Sequence, residues 1–137
     1  MTVTVNDLAD GLEQALAAIP GLHLYSEIDE QPHEPSAEIL FDGRRRDDAG
    51  GGQIASFSVE VGVSSDDRGW GPAVRLLRTF MDPTGESSIE AALDADPTLS
   101  GIADWVAVTA VGSERRTQWG DGWRVASRIG IAVCYDP

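Results

Sequence analysis

The C-terminal stretch Trp123–Tyr135 places the strongest constraint on the fold. Large apolar residues recur along it at odd positions, interrupted by Ser127, while arginine and small residues fill the positions between them. This period of two is typical of a β-strand with one buried face. Because so long a strand needs partners and a cover for its apolar face, the sequence predicts a sheet organised around it. The alternating apolar residues are Val125, Ile129, Ile131 and Val133.

The residues before this stretch predict a β-hairpin. Residues 120–122 form a Gly-Asp-Gly turn sequence between Trp119 and Trp123, and such sequences connect antiparallel strands. A three-residue loop would place Trp119 opposite Trp123 and Glu114 opposite Arg128, whereas a two-residue loop would shift the pairing by one. We favour the three-residue loop because it matches aromatic and opposite charges across the strands. In this register the hairpin tip extends beyond the core.

The other segments predict an α+β fold in a single domain spanning residues 1–137. A helix over residues 6–19 has an apolar stripe, a capping box formed by Thr4 and Asp7 with Asn6 as an alternative N-cap, and a Pro20-Gly21 stop. The glycine-rich segment 42–52 predicts an exposed loop. Together these patterns predict an antiparallel or mixed sheet of four to five strands, with two or three helices packed on one face. Further strands are expected over residues 22–28, 37–41, 56–63 and 103–118, and further helices over 72–81 and 89–93.

Charge and composition exclude several classes of protein. The formal net charge is −13, and all ten basic residues are arginine. So acidic a chain is not expected to bind nucleic acid in a sequence-specific way or to adhere to an anionic membrane. The sequence contains no membrane span and no signal peptide, which predicts a soluble protein. Cys134 is the single cysteine and fits a reducing compartment.

No motif predicts a catalytic or cofactor site. Residues 94–100 carry oxygen-bearing side chains at the alternate spacing of a calcium loop, but Leu99 occupies the glycine position and Trp105 the position of the bidentate glutamate. The triple glycine at residues 50–52 lacks the lysine of a phosphate-binding loop. There is also no Gly-x-Ser-x-Gly nucleophile motif. We therefore expect no enzyme, no cofactor and no metal.

The alternative of a small metal-binding domain or enzyme depends on two histidines. His23 and His33 have several acidic residues nearby, but their spacing matches none of the usual zinc patterns. An interaction surface is the better-supported interpretation, because tryptophan and arginine are enriched where proteins recognise one another. The candidate interface residues are Arg44, Arg45, Arg46, Trp70, Arg115, Arg116, Trp119, Trp123 and Arg124, the last two at the projecting hairpin tip.

One run of sequence resembles a known family. Residues 82–101, read Asp-Pro-Thr-Gly-Glu-Ser-Ser-Ile-Glu-Ala-Ala-Leu-Asp-Ala-Asp-Pro-Thr-Leu-Ser-Gly, resemble the corresponding region of tail terminator proteins from long, non-contractile-tailed bacteriophages. The layout around it is similar too, with an opening helix that ends near residues 21–25, a proline-rich acidic connection, a strand pair and a terminal hairpin. The resemblance covers nearly the whole chain.

The resemblance implies a structural virion protein. Such a protein forms a hexameric ring on the last ring of tail tube protein, stops tube polymerisation and joins the tail to the head-side connector or stopper protein. It would be found in the tail or neck of the virion, and in the host cytoplasm during assembly. DNA would pass through the ring, which would carry 6 × −13 = −78 formal charges. The alternative within this machinery is a head-to-tail connector or adaptor subunit of the neck.

Overall fold

The C-terminal strand is central to the fold, as its alternating pattern predicts. The computed structural model describes residues 2–25, 34–47, 49–66, 69–119 and 122–137. In chain order the elements are α1 (Val5–Leu16), β1 (His23–Tyr25), β2 (Ser36–Arg46), β3 (Gln53–Ser64), α2 (Trp70–Met81), α3 (Ile89–Asp94), β4 (Trp105–Val111), β5 (Arg115–Trp119) and β6 (Gly122–Tyr135).

The strands form one mixed sheet. Its order is β1-β2-β3-β6-β4, and β5 pairs with β6 beyond the end of β4, on the side away from β3. β1 and β2 are parallel, and the other pairs are antiparallel. The α+β prediction is confirmed, with six strands instead of four to five because residues 112–114 interrupt the strand predicted over 103–118. Of the strand predicted over 22–28, β1 covers residues 23–25, and residues 26–28 lie outside the described residues.

The core lies between one face of the sheet and the helices. Val59 faces Ile129 and Phe57 faces Ile131 across the pair formed by β3 and β6, and all four side chains are almost fully buried. Burying one such side chain stabilises the fold by about 1.5–3 kcal/mol. The helices cover this face with the buried residues Leu8, Leu12, Leu16, Ala73, Leu77, Phe80, Ile89 and Leu93. In the described residues, no helix is both long and apolar enough to cross a bilayer.

The start of α1 follows the predicted capping box. The backbone N–H of Asp7 donates to Thr4 Oγ1 at 3.1 Å, and the backbone N–H of Thr4 donates to Asp7 Oδ2 at 2.9 Å. At α3 the cap is Ser88, whose Oγ accepts from the backbone N–H of Ala91 at 3.0 Å. Local side-chain chemistry therefore sets where both helices begin.

Of the loop predicted over residues 42–52, residues 42–46 are strand. β2 continues through Arg46, and β3 begins at Gln53. The arginines need no apolar neighbours there, because backbone pairing with β3 holds them and their long side chains extend into solvent. A bulge between Phe41 and Gly43 interrupts the register, and Gly43 has a φ of 116°, a conformation that favours glycine.

The predicted hairpin register is wrong by one residue. Trp119 pairs with Gly122 and Gln118 pairs with Trp123, so only residues 120–121, which lie outside the described residues, separate the strands. Residues 112–114 on one strand stand opposite residues 127–128 on the other, between the pairs of β4 and those of β5. This extra residue and a second irregularity between Val108 and Ala110 shift the pairing of β4 with β6. A prediction that assumes an uninterrupted ladder does not include such shifts.

Candidate functional site

The candidate interface residues lie at opposite ends of the sheet. Gln53 pairs with Tyr135 at one end of β3, and Ser64 pairs with Arg124 at the other. At about 3.3 Å per residue, the length of β3 separates these ends by roughly 35 Å. Arg44–Arg46 lie near the first end and the hairpin of β5 and β6 near the second. The structure therefore brings the predicted residues together as two separate sets.

The triple arginine forms an exposed strip on the last residues of β2. Arg44, Arg45 and Arg46 pair with Ala55, Ile54 and Gln53, and Nη1 of Arg44 donates to Oε1 of Gln53 at 2.9 Å. Because successive side chains on a strand point to opposite faces, Arg45 lies on the face opposite to that of its two neighbours. The three charges are thus accessible but spread over both faces of the sheet.

At the end of the sheet near the hairpin, arginine side chains connect α2 with β5 and with Glu114, which precedes β5. The guanidinium carbon of Arg116 lies 4.4 Å from the centre of the Trp70 ring, an arrangement worth about 0.5–1 kcal/mol at an exposed site. Arg78 donates from Nε and Nη2 to the two carboxylate oxygens of Glu114, at 3.0 and 2.6 Å. This hydrogen-bonded pair lowers the pKa of the Glu114 carboxyl, mainly through the side-chain hydrogen bond from Arg78. Trp70 and Arg116, which the sequence singled out separately, are therefore in contact.

On the sheet face away from the helices, three arginines converge on one carboxylate. Glu60 accepts from Arg115 and from Arg128 Nε (3.3 Å) at Oε1, and from Arg124 Nη2 (3.2 Å) at Oε2. Arg124 also donates from Nη1 to Glu34 Oε1 at 3.4 Å. Arg115 and Arg128 are about half exposed. Because such shared hydrogen bonds to an ionised group are strong, these residues fix the positions of β3, β5 and β6 on this face.

Arg124 is buried, so the prediction that it projects from the domain with the hairpin tip is wrong. Only 3% of Arg124 is accessible to solvent, because its guanidinium group lies over Gly62 on the neighbouring strand. A Cβ atom at residue 62 would come within 2.4 Å of Arg124 Nη1, so glycine makes room for the arginine. Neither Glu60 nor Gly62 was predicted from the sequence, and their only signal is that they occupy non-core positions in the alternating pattern of β3.

The hairpin tip is attached to the domain instead of projecting from it. The backbone oxygen of Trp123 accepts from the N–H and the Oγ of Ser65, both at 3.1 Å, and its N–H donates to Asp66 Oδ1 at 3.3 Å. The Trp123 side chain nevertheless stays 48% exposed. For Trp119 only the backbone is described, and it pairs with Gly122.

Strand β4 carries a further exposed apolar surface, which the sequence analysis missed. Trp105 is 40% exposed and Val111 45% exposed, and no strand in the described part of the chain pairs with the outer side of β4. The seven residues of β4 include no charged residue and no proline. That uncharged run was the signal available in the sequence.

The described residues do not form a metal site. Within them, no three His, Cys, Asp or Glu side chains are grouped to hold a metal ion, and His33 lies outside the described part. Asp96, from the calcium-like spacing, accepts from the backbone N–H of Ser100 at 2.9 Å. Cys134 is buried near Asp47 and Asp104, and burial together with these carboxylates raises the pKa of its thiol. Such a thiol is protonated and therefore a poor nucleophile.

No protein-family model matches this chain, and no curated protein matches it. Function must therefore be argued from the surfaces described above.

Proposed function

We propose that this chain is a structural subunit of a bacteriophage tail, a tail terminator that forms a ring on the end of the tail tube and stops its growth. Two observations support the proposal. The run of residues 82–101 resembles that of tail terminators of long, non-contractile tails, and the exposed edge of β4 fits a subunit that is covered in an assembly. The exposed edge of β4 is the stronger support, because it is a feature of the folded chain.

An exposed edge strand is normally protected. Natural proteins shorten such strands or place charges or proline on them, since unpaired N–H and C=O groups can pair with another chain. β4 is seven residues long and has neither charge nor proline, and Trp105 and Val111 add apolar side chains beside its open edge. An edge of this kind suits a protein whose edge strand is covered by a partner in an assembly. A ring subunit has neighbours on both sides and contacts the tube at one end.

The electrostatics suit a conduit for DNA. A ring of six copies would carry a large negative charge, and phosphate groups adhere to basic surfaces, not to acidic ones. In this mechanism the ring adds to the tube through one face, while its other face offers the tube protein no site for further addition. The chain acts by assembly and recognition, without a chemical step.

The position of the chain in an intact particle tests this function. A density map, or labelling of the chain in the phage that encodes it, should place a ring of this protein against the last ring of tube subunits. A ring in contact with the portal and separated from the tube would instead identify the connector or adaptor, and absence from the virion would refute both structural roles.

A further inference from the structure

One side of the helical layer is strongly acidic. Helix α1 carries three acidic residues and no arginine, and residues 82–104 carry six acidic residues and no arginine. α1 contacts α3. Gly11 also lets α1 lie close to the segment after α3, because a Cβ atom at residue 11 would be 3.1 Å from Ile102 Cδ1. α1 and α3 therefore form one surface, called the acidic surface here. It comprises Asp7, Asp10, Glu13, Glu90 and Asp94.

A second surface has the opposite charge. Helix α2 carries Arg75 and Arg78 and no acidic residue, both arginines are exposed, and Arg116 of β5 is held over Trp70 at the start of the helix. Glu114 offsets one of these charges through its pair with Arg78. We call Trp70, Arg75, Arg78 and Arg116 the arginine surface.

The two surfaces lie over different strands of the sheet. In the acidic surface, α1 contacts β1 and β2 and α3 contacts β4, whereas α2 of the arginine surface contacts β3 and β6. β5, which carries Arg116, pairs with β6 on the far side from β3. A contact between one surface of a copy and the other surface of its neighbour is head-to-tail. Repetition of such a contact closes into a ring when the rotation between copies permits.

We propose that the acidic surface of one copy binds the arginine surface of the next. This inference rests on the proposed ring function and deepens it by naming the surfaces that join neighbouring subunits. Arginine forks bind carboxylates through paired, charge-assisted hydrogen bonds. Arg116 is already ordered by Trp70, so less conformational entropy is lost when it binds. A contact between two acidic surfaces would instead bring like charges together, which costs several kcal/mol.

Charge reversal on each surface tests the proposal. Arg75→Glu with Arg116→Glu gives two positions of the arginine surface the opposite charge, and Asp10→Arg with Asp94→Arg does the same at two positions of the acidic surface. Sedimentation velocity of purified protein over a range of concentrations should show wild-type oligomers that weaken when NaCl rises from about 0.1 M to about 1 M, because the screening length falls from roughly 10 Å to 3 Å. Each double variant alone should associate at least about tenfold more weakly than the wild type. A tenfold change in the dissociation constant corresponds to about 1.4 kcal/mol. Far-ultraviolet circular dichroism checks that the variants are folded.

Mixing provides the decisive comparison. An equimolar mixture of the two double variants should associate more strongly than either variant alone, because the unchanged acidic surface of one variant meets the unchanged arginine surface of the other. Ala49→Glu, at an exposed position between β2 and β3 at the far end of the sheet, is the control and should associate like the wild type. If the folded double variants form the same oligomers as the wild type, the contact lies elsewhere and the inference fails, while the ring function stands. A wild-type protein that stays monomeric at every concentration also overturns it, and the particle map then decides the function separately.

Discussion

The guanidinium group of Arg124 lies over the backbone of Gly62, where a Cβ atom would come within 2.4 Å of its Nη1. This contact lets a buried arginine on β6 reach Glu60 on β3 and Glu34 before β2. Gly62 is the one position on β3 without a side chain. It therefore determines how Arg124 of β6 packs against Glu60 on this face of the sheet.

Gly62→Ala should therefore destabilise the protein. The added methyl group displaces a guanidinium group that has little solvent to replace its hydrogen bonds, so we expect the free energy of unfolding to fall by about 2–3 kcal/mol. Urea unfolding measures the change. Gly71→Ala is the matched control, because a Cβ at this exposed position of α2 would meet no atom within 4 Å, and alanine favours the helix by up to about 1 kcal/mol. Equal stability of the Gly62 variant and the wild type would contradict the packing described here.

Glu60→Gln tests the convergence of arginines on one carboxylate. The amide keeps the shape of the side chain but leaves Arg115, Arg124 and Arg128 without their shared negative charge. We expect a loss of about 3 kcal/mol in the free energy of unfolding, the lower end of what removing one partner of a buried ion pair costs. Glu86→Gln, at an exposed position, should change stability by less than about 0.5 kcal/mol. A Glu60 variant no less stable than the Glu86 variant would show that the cluster contributes nothing.

The pair of Arg78 and Glu114 predicts a pH dependence. Because the folded-state pKa of Glu114 is lowered, the pair stabilises the fold above the unfolded-state pKa of that carboxyl, and this contribution is lost as the pH falls through the folded-state value. The wild type should be slightly more stable than Glu114→Gln at neutral pH, and the difference should vanish in acid. Urea unfolding of both proteins at several pH values measures it. A difference that persists unchanged into acid would argue against an ionic origin.

Trp123→Ala should separate folding from assembly. The Trp123 side chain is half exposed, and its anchoring contacts to Ser65 and Asp66 come from its backbone, so truncation should cost less than about 1 kcal/mol of stability. We expect a folded variant that associates more weakly than the wild type, measured by calorimetry and sedimentation. An unfolded variant would mean that the indole belongs to the core. Normal association of a folded variant would remove Trp123 from the interface.

Local patterns predicted the elements of the fold, whereas the candidate surface depended on distant contacts. The capping box at Thr4, the apolar stripe of α1 and the alternation of β6 act over a few residues, and their predictions are confirmed. The burial of Arg124 depends on Glu60 and Glu34, 64 and 90 residues away in sequence. No local pattern shows that these groups meet.

The hairpin register shows a second limit. Matching charges and aromatics favoured a three-residue loop, but the observed loop has two residues, and the extra residue at 112–114 shifts the pairing of β4 by one position relative to that of β5. Bulges of this kind depend on the whole sheet. The charge-free run of β4 can be read from the sequence. That this run forms an edge strand is shown only by the strand order of the sheet.

The length of tail tubes tests the central claim most directly. Tails would be imaged from the encoding phage with this gene deleted, with the wild-type chain supplied in trans, and with a chain that carries Ala107→Lys on β4. Ala49→Lys, at an exposed position between β2 and β3, is the matched control. Our account predicts tubes of uncontrolled length without the gene, normal lengths with the wild type and the control, and failure of the β4 variant, because lysine protects an edge from pairing. Tubes of normal length in the absence of the gene would contradict the account.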